Sequence, residues 1–187
     1  MIFAVDGCER RVGTGLMPST AVLELTYRCN QECIFCSCPW YANAFEQLPE
    51  MQVLQWRDLL DALALQGVSE FAFTGGEPLL KEGWREIVSY ASALRVRKPA
   101  RGASEDSRPG IHLISNGRAM TDDALSFLAG LGVHMMFSLP GLDTYPEHTG
   151  GGSPERVLSL FEKAAALGAA ATVGVTCLLY TSPSPRD

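Results

Sequence analysis

Strand-like and helix-like segments alternate along most of this 187-residue chain. That order constrains the fold more than any other feature, because a strand–helix–strand unit returns the chain parallel to its start through a right-handed crossover. Residues 21–26 form a short apolar run with β-branched members and read as the first strand. Residues 49–65 carry Val53, Trp56, Leu60 and Leu63 at helical spacing, and Gly67 closes them. Glu70–Thr74 reads as the second strand. Residues 84–94 read as a helix with Ile87, Val88, Ala91 and Leu94 on one side. Residues 111–115 form the third strand. Thr121 then caps a helix bearing Leu125, Leu128 and Leu131, with Asp122 and Asp123 in its first turn and Gly132 after its end. Residues 134–139 form the fourth strand. Ser153-Pro154-Glu155 opens a helix expected to bury Val157, Leu158, Phe161 and Ala164 and to end at Gly168. Residues 171–176 form the fifth strand. The expected fold is α/β, with a parallel sheet. The polar stretch 95–110 reads as a surface loop lengthening one helix-to-strand connection, with a charged docking patch as the alternative.

The unusual motifs all fall where a strand ends and a helix has yet to begin. The first strand leads to Cys29, Cys33 and Cys36, and the second to Gly75-Gly76-Glu77-Pro78. The third leads to Ser115-Asn116-Gly117 and the fourth to Ser138-Leu139-Pro140-Gly141. In a parallel barrel these loops converge on one rim, where active sites sit. The helix-to-strand turns at 66–68, 131–133 and 167–169 carry only glycines that end helices. The asymmetry separates a chemical face from a structural one.

Composition excludes several function classes. Hydrophobic residues are 47% and charged residues 19%, ordinary for a soluble globular chain, and the net charge of −6 gives no footprint for nucleic acid. No apolar run approaches the roughly 20 residues that span a bilayer, so no membrane partner is expected. The start Met1-Ile2-Phe3-Ala4-Val5-Asp6 is too short and acidic for a signal peptide. The expected compartment is the cytoplasm, where clustered cysteines indicate metal rather than disulfides. Three thiolates spaced as Cys29, Cys33 and Cys36 can hold three irons of a four-iron cluster and leave the fourth open to a second molecule. A four-thiolate zinc site that adds Cys38 is the rival, although its one-residue gap is tight for a tetrahedron.

The run from Leu25 to Cys36 resembles the signature of the radical S-adenosylmethionine (radical SAM) enzymes, three cysteines spaced C-x3-C-xΦ-C with Phe35 as the aromatic Φ. The resemblance covers roughly residues 18–176 and is nearest to the SPASM-type peptide-modifying members. It implies a partial (βα) barrel, truncated here after about five strands where relatives have six, so that the full-length protein is expected to be an enzyme and this fragment weakly active or inactive. It implies a [4Fe-4S] cluster on Cys29, Cys33 and Cys36 whose open iron chelates S-adenosylmethionine (SAM). Reductive cleavage of SAM then yields a 5′-deoxyadenosyl radical that abstracts hydrogen from a substrate. It also implies a reductant such as flavodoxin or ferredoxin, and a peptide or small-molecule substrate. Gly75, Gly76, Glu77 and Pro78 match the family's GGEP motif, in which glycine lets backbone carbonyls approach the methionyl ammonium and Glu77 adds negative charge nearby. By the same resemblance Phe35 packs near the adenine and Ser138 contacts the ribose. Ser115 and Asn116 match a common ending of the third strand, with a plain turn as the alternative for Asn116-Gly117. Val175 falls where relatives pack against adenine, or is a core valine.

Other residues are less telling. Cys38 is either a redox or substrate-side thiol or a plain loop cysteine, and Cys8 reads as a bystander. His148 is a candidate acid–base group or a hydrogen-bonded loop histidine. Trp40, Tyr41, Trp56 and Trp84 read as packing residues, the first two close enough to the cysteines to shield a cluster. Residues 177–187 change character abruptly and resemble translated sequencing adapter. The expected organisation is an irregular segment at 1–17, the barrel core at 18–176 and a non-native tail at 177–187. A non-catalytic metal-binding or iron–sulfur electron-transfer module is the alternative function.

Overall fold

The computed structural model describes residues 18–36, 49–97 and 106–174. In chain order these form β1 (Thr20–Glu24), α1 (Val53–Leu65), β2 (Glu70–Thr74), a single 3-10 turn (Pro78–Leu80) and α2 (Trp84–Ala93). There follow β3 (Val96–Arg97), β4 (Asp106–Ser107), β5 (Gly110–Ser115), α3 (Asp122–Gly130), β6 (His134–Ser138), α4 (Tyr145–Thr149), α5 (Pro154–Ala166) and β7 (Ala171–Gly174). Five strands make one sheet in the order β1-β2-β5-β6-β7, and every neighbouring pair is parallel. Strand order follows chain order without reversal, the arrangement of an unclosed barrel rather than of a doubly wound sheet with a switch point.

Burial alternates along β5, where Ile111, Leu113 and Ser115 are buried and His112 and Ile114 are half-buried. Leu23, Phe71, Phe73, Leu113, Met135 and Phe137 form the buried sheet side of the core. Trp56 and Leu60 of α1, Ile87 and Val88 of α2, Leu125 and Leu128 of α3, and Val157, Leu160 and Ala164 of α5 supply the helical side. The register places Glu24 opposite Thr74, Ser115 opposite Phe137 and Ser138 opposite Gly174. The carboxyl ends of the strands, and the loops they feed, therefore lie along one edge.

Local signals account for most boundaries. The Thr121 hydroxyl accepts the Ala124 N–H at 3.1 Å, and two aspartates follow it at the positive end of the α3 dipole. Pro154 opens α5. Trp84 and Phe127 meet edge to face at 5.7 Å between centroids, with the Arg85 guanidinium over both rings.

Four expectations need correction. The first helix begins at Val53, not at residue 49, because Glu50 is drawn away as a strap. Its carboxylate accepts from Lys81 Nζ at 2.9 Å and from the Thr26 hydroxyl, and a Gln52–Gln55 capping box starts the helix instead. The stretch 95–110 is not wholly a loop: Val96–Arg97 pairs antiparallel with Asp106–Ser107, and Val96 is buried. In α5 the buried residue is Leu160, while Leu158 is 38% exposed, because the core-facing stripe runs Val157, Leu160 and Ala164 at i, i+3, i+7 spacing. Finally, α4 is a helix of five residues within a stretch that carries no helical periodicity.

Candidate active site

The site is built from the loops beyond β1, β2, β5 and β6. The Leu25 N–H donates to Thr74 O at 2.9 Å and prolongs the β1–β2 pairing. The chain then lays its backbone against the glycine pair. Gly76 N–H donates to Thr26 O at 2.7 Å, and Glu77 N–H donates to Arg28 O at 2.8 Å. A Cβ on Gly75 would stand 2.3 Å from Thr26 O, and one on Gly76 would stand 2.3 Å from Arg28 O. Gly75 also has φ +130, a conformation that glycine alone adopts without strain. Glycine is thus required at both positions by the residues leading into Cys29.

Two further elements fix the cysteine loop. The end of α4 accepts its backbone: Glu32 N–H donates to Thr149 O at 3.2 Å and Ile34 N–H to His148 O at 3.0 Å. The Phe35 ring meets the His148 ring edge-on at 6.3 Å. The buried Gln31 amide donates to the Tyr145 hydroxyl at 3.1 Å, and its oxygen lies 3.5 Å from Cys33 Sγ. From the third side, Asn116 Nδ2 donates to Asn30 Oδ1 at 2.9 Å and lies 3.6 Å from Cys29 Sγ. Arg118 Nη1 donates to Asn30 O at 2.6 Å.

These elements enclose a cavity of about 140 Å³. Cys29, Cys33, Cys36 and Phe35 line it from β1, Gly75 and Gly76 from β2, Ser115 and Asn116 from β5, and Ser138 from β6. The fold therefore brings nine of the residues singled out by sequence to one place. Glu77 and Pro78 lie behind this wall. Glu77 is fully buried, and its carboxylate accepts from the Ser115 hydroxyl at 2.9 Å, Asn116 N–H at 2.9 Å and Leu79 N–H at 3.2 Å. Burial outweighs these bonds and pushes its pKa up to about 6. Val175, Cys8, Cys38, Trp40, Tyr41 and the tail from Cys177 lie outside the described residues.

Sequence reading missed Gln31, Arg118, Tyr145 and Thr149. Gln31 is a spacer between cysteines, with no residue type demanded by the motif. Tyr145 and Thr149 sit in a glycine-rich stretch too short for periodicity. Only Arg118, a cation two residues beyond Asn116, carried a usable signal.

The donor set fits an iron–sulfur cluster. Burial first, then the neighbouring Cys36 and Cys29, push the Cys33 thiol up to about 11. Burial likewise raises Cys29. Two thiols held against ionising, Cys29 and Cys33, are what a cationic metal body relieves. Among the described residues no three His, Cys, Asp or Glu side chains gather as a single metal ion would require. The zinc alternative further depends on Cys38, outside the described residues.

Comparison with known proteins agrees with this geometry. The family model of the radical SAM superfamily matches residues 23–184. The chain is 33% identical over 127 residues to PqqA peptide cyclase of Xanthomonas campestris pv. campestris (strain B100), covering 67% of this chain and 30% of that protein. It is 32% identical over 129 residues to the sporulation killing factor maturation protein SkfB of Bacillus subtilis (strain 168), covering 68% and 27%. The chain thus spans about a third or less of these curated relatives. The crystal structure of Streptococcus suis SuiB bound to precursor peptide SuiA superposes with a TM-score of 0.67 at 18% identity, over 84% of this chain and 33% of that one, a likeness of fold. With the family model covering most of its length and the family's three cysteines lining one cavity, the chain belongs to the radical SAM superfamily, whose cofactors are a [4Fe-4S] cluster and SAM.

Proposed function

We propose that this chain is the catalytic core of a radical SAM enzyme acting on a peptide. One observation carries the reading: Cys29, Cys33, Cys36, the Gly75–Gly76 backbone and Ser138 line the same cavity. When bound, the cluster and SAM would supply the chemistry, reductive cleavage of SAM to methionine and a 5′-deoxyadenosyl radical able to abstract hydrogen from the substrate. The residues of the chain bind and orient. Cys29, Cys33 and Cys36 hold the cluster, and the Gly75–Gly76 backbone receives the methionyl ammonium. With SAM bound, Phe35 would lie against the adenine and Ser138 against the ribose. Ser115 and Asn116 complete the wall, and Glu77 ties the glycine loop to them from behind. The half-buried thiols limit water at the cluster.

Peptide as substrate class rests on the likeness to PqqA peptide cyclase and to SkfB. The reducing electron comes from a flavodoxin- or ferredoxin-type donor, in a cytoplasm that keeps the thiols reduced. The test is anaerobic reconstitution with iron and sulfide, then SAM and dithionite, with chromatography for 5′-deoxyadenosine. The wild type is expected to form it at a low level and Cys33→Ser to form none. A loaded chain that ignores SAM and forms no 5′-deoxyadenosine favours the electron-transfer module and refutes the enzyme.

A further inference from the structure

The turn Ser115-Asn116-Gly117-Arg118 does more than line a wall. It grips Asn30, the residue after the first cysteine, at two points. Asn116 Nδ2 holds the Asn30 side-chain oxygen at 2.9 Å, and Arg118 Nη1 holds its backbone carbonyl at 2.6 Å. The two grips are linked, because the Arg118 N–H donates to Asn116 Oδ1 at 2.8 Å. Arg156 steadies the far side through the carbonyls of Arg118, at 3.3 Å, and Met120, at 3.1 Å. The Arg118 guanidinium runs beside the Gly151–Gly152 turn, where an added Cβ would lie 3.5 Å from it. Among the described residues no carboxylate lies within ion-pair distance of Arg118. Its charge therefore sits uncompensated against the cysteine loop, 2.6 Å from the carbonyl of the residue that follows Cys29.

We propose that Arg118 is a positioning residue for the iron–sulfur cluster: it fixes the Cys29–Cys33 loop through Asn30, and its charge raises the potential at which the cluster takes an electron. The inference rests on the cluster reading above. A cluster on three thiolates gains negative charge on reduction, so a nearby cation stabilises the reduced form more than the oxidised one. Net charge and hydrogen bonding around the sulfurs are the protein's levers on such potentials. Partners behind metal ligands commonly govern affinity by about 10–100-fold.

The experiment uses the full 187-residue chain. Wild type, Arg118→Gln and Arg118→Lys are reconstituted anaerobically. Iron per chain, iron loss to a chelator, and the midpoint potential from a dye-mediated titration followed by electron paramagnetic resonance are then measured. Arg118→Gln is expected to show a more negative midpoint and about tenfold weaker iron retention. Arg118→Lys, which keeps the charge but not the planar fork, is expected to lose iron faster at a midpoint close to wild type. A wild type that holds no iron overturns the cluster reading and this inference with it, and is seen before any variant is compared. A loaded Arg118→Gln with unchanged midpoint and retention overturns this inference alone. If Arg118→Gln fails to fold by circular dichroism, the lysine variant decides: retention equal to wild type overturns the positioning role.

Discussion

Replacing Gly76 by alanine presses a methyl group into the backbone that leads to the first cysteine. The new Cβ would stand 2.3 Å from Arg28 O and 2.8 Å from Tyr27 O. Ordinary contact begins about 1 Å further out, so either the glycine loop or residues 27–28 must move by that amount. Overpacking of this kind costs about 1–3 kcal/mol. The same displacement breaks the Glu77 N–H bond to Arg28 O, now 2.8 Å, which adds about 1 kcal/mol. The sum is about 2–4 kcal/mol. Gly67→Ala is the matched control. Gly67 has φ +96, but a Cβ there meets nothing within 4 Å, so its cost is about 1–2 kcal/mol of backbone strain with nothing displaced. Urea unfolding followed by circular dichroism gives both losses, and iron per chain after reconstitution separates them. Gly67→Ala is expected to load iron as wild type does, whereas Gly76→Ala loads poorly because Cys29 has shifted. A Gly76→Ala chain that loads fully and is no less stable than Gly67→Ala would falsify the close-approach reasoning.

Glu77 gives the chain a pH dependence of known sign. Its pKa is raised to about 6 from an ordinary 4.5, so its contribution to stability is complete below pH 4.5 and is lost as pH rises through 6. The loss is about 2 kcal/mol. The stability difference, wild type minus Glu77→Gln, measured on the metal-free chain, should fall by about that amount between about pH 4 and pH 7; a difference that stays flat or rises refutes it. A pair of truncations in α5 checks which residue faces the core. Leu160→Ala should cost about 2–5 kcal/mol and Leu158→Ala under about 1, and equal losses in thermal unfolding would place the buried stripe elsewhere.

Much of this was legible because it is repetitive. Three of the five main strands, β2, β6 and β7, followed a glycine that ended a helix, and each site motif followed a strand, so the sheet order and the cavity rim could be read together. Glu70–Thr74 matched to the residue. Apart from Leu158, a misread of the α5 stripe, the failures have a common cause: they depend on contacts distant in sequence. Glu50 leaves the first helix because Lys81 and Thr26 attract it. Val96 is buried because residues beyond position 105 fold back to pair with it. Tyr145–Thr149 becomes a helix whose last carbonyls are taken up by the cysteine loop, a partner no local pattern names. Gln31 lies between cysteines and matters only because a tyrosine 114 residues away needs its amide.

The glycine pair shows how motif and fold are joined. A motif read alone assigns the missing side chains to the ligand that must come close. Here the space is already filled, on one side, by the carbonyls of Thr26 and Arg28. Glycine is demanded by the wall itself, before any cofactor is considered. From that contact a ring of bonds can be followed around the cavity. The cysteine loop rests on the glycine loop, and Glu77 ties that loop to Ser115 and Asn116. Asn116 and Arg118 return to Asn30 between the first two cysteines, and α4 closes the remaining side through Glu32 and Ile34. A ring braces each member through two neighbours, so the loop is held with its three cysteines lining one cavity. Such bracing is needed where three sulfurs that repel one another as thiolates must be kept together until a cluster arrives. The residues between the motifs therefore belong to the site as much as the cysteines do, since each link they form sets where a sulfur lies.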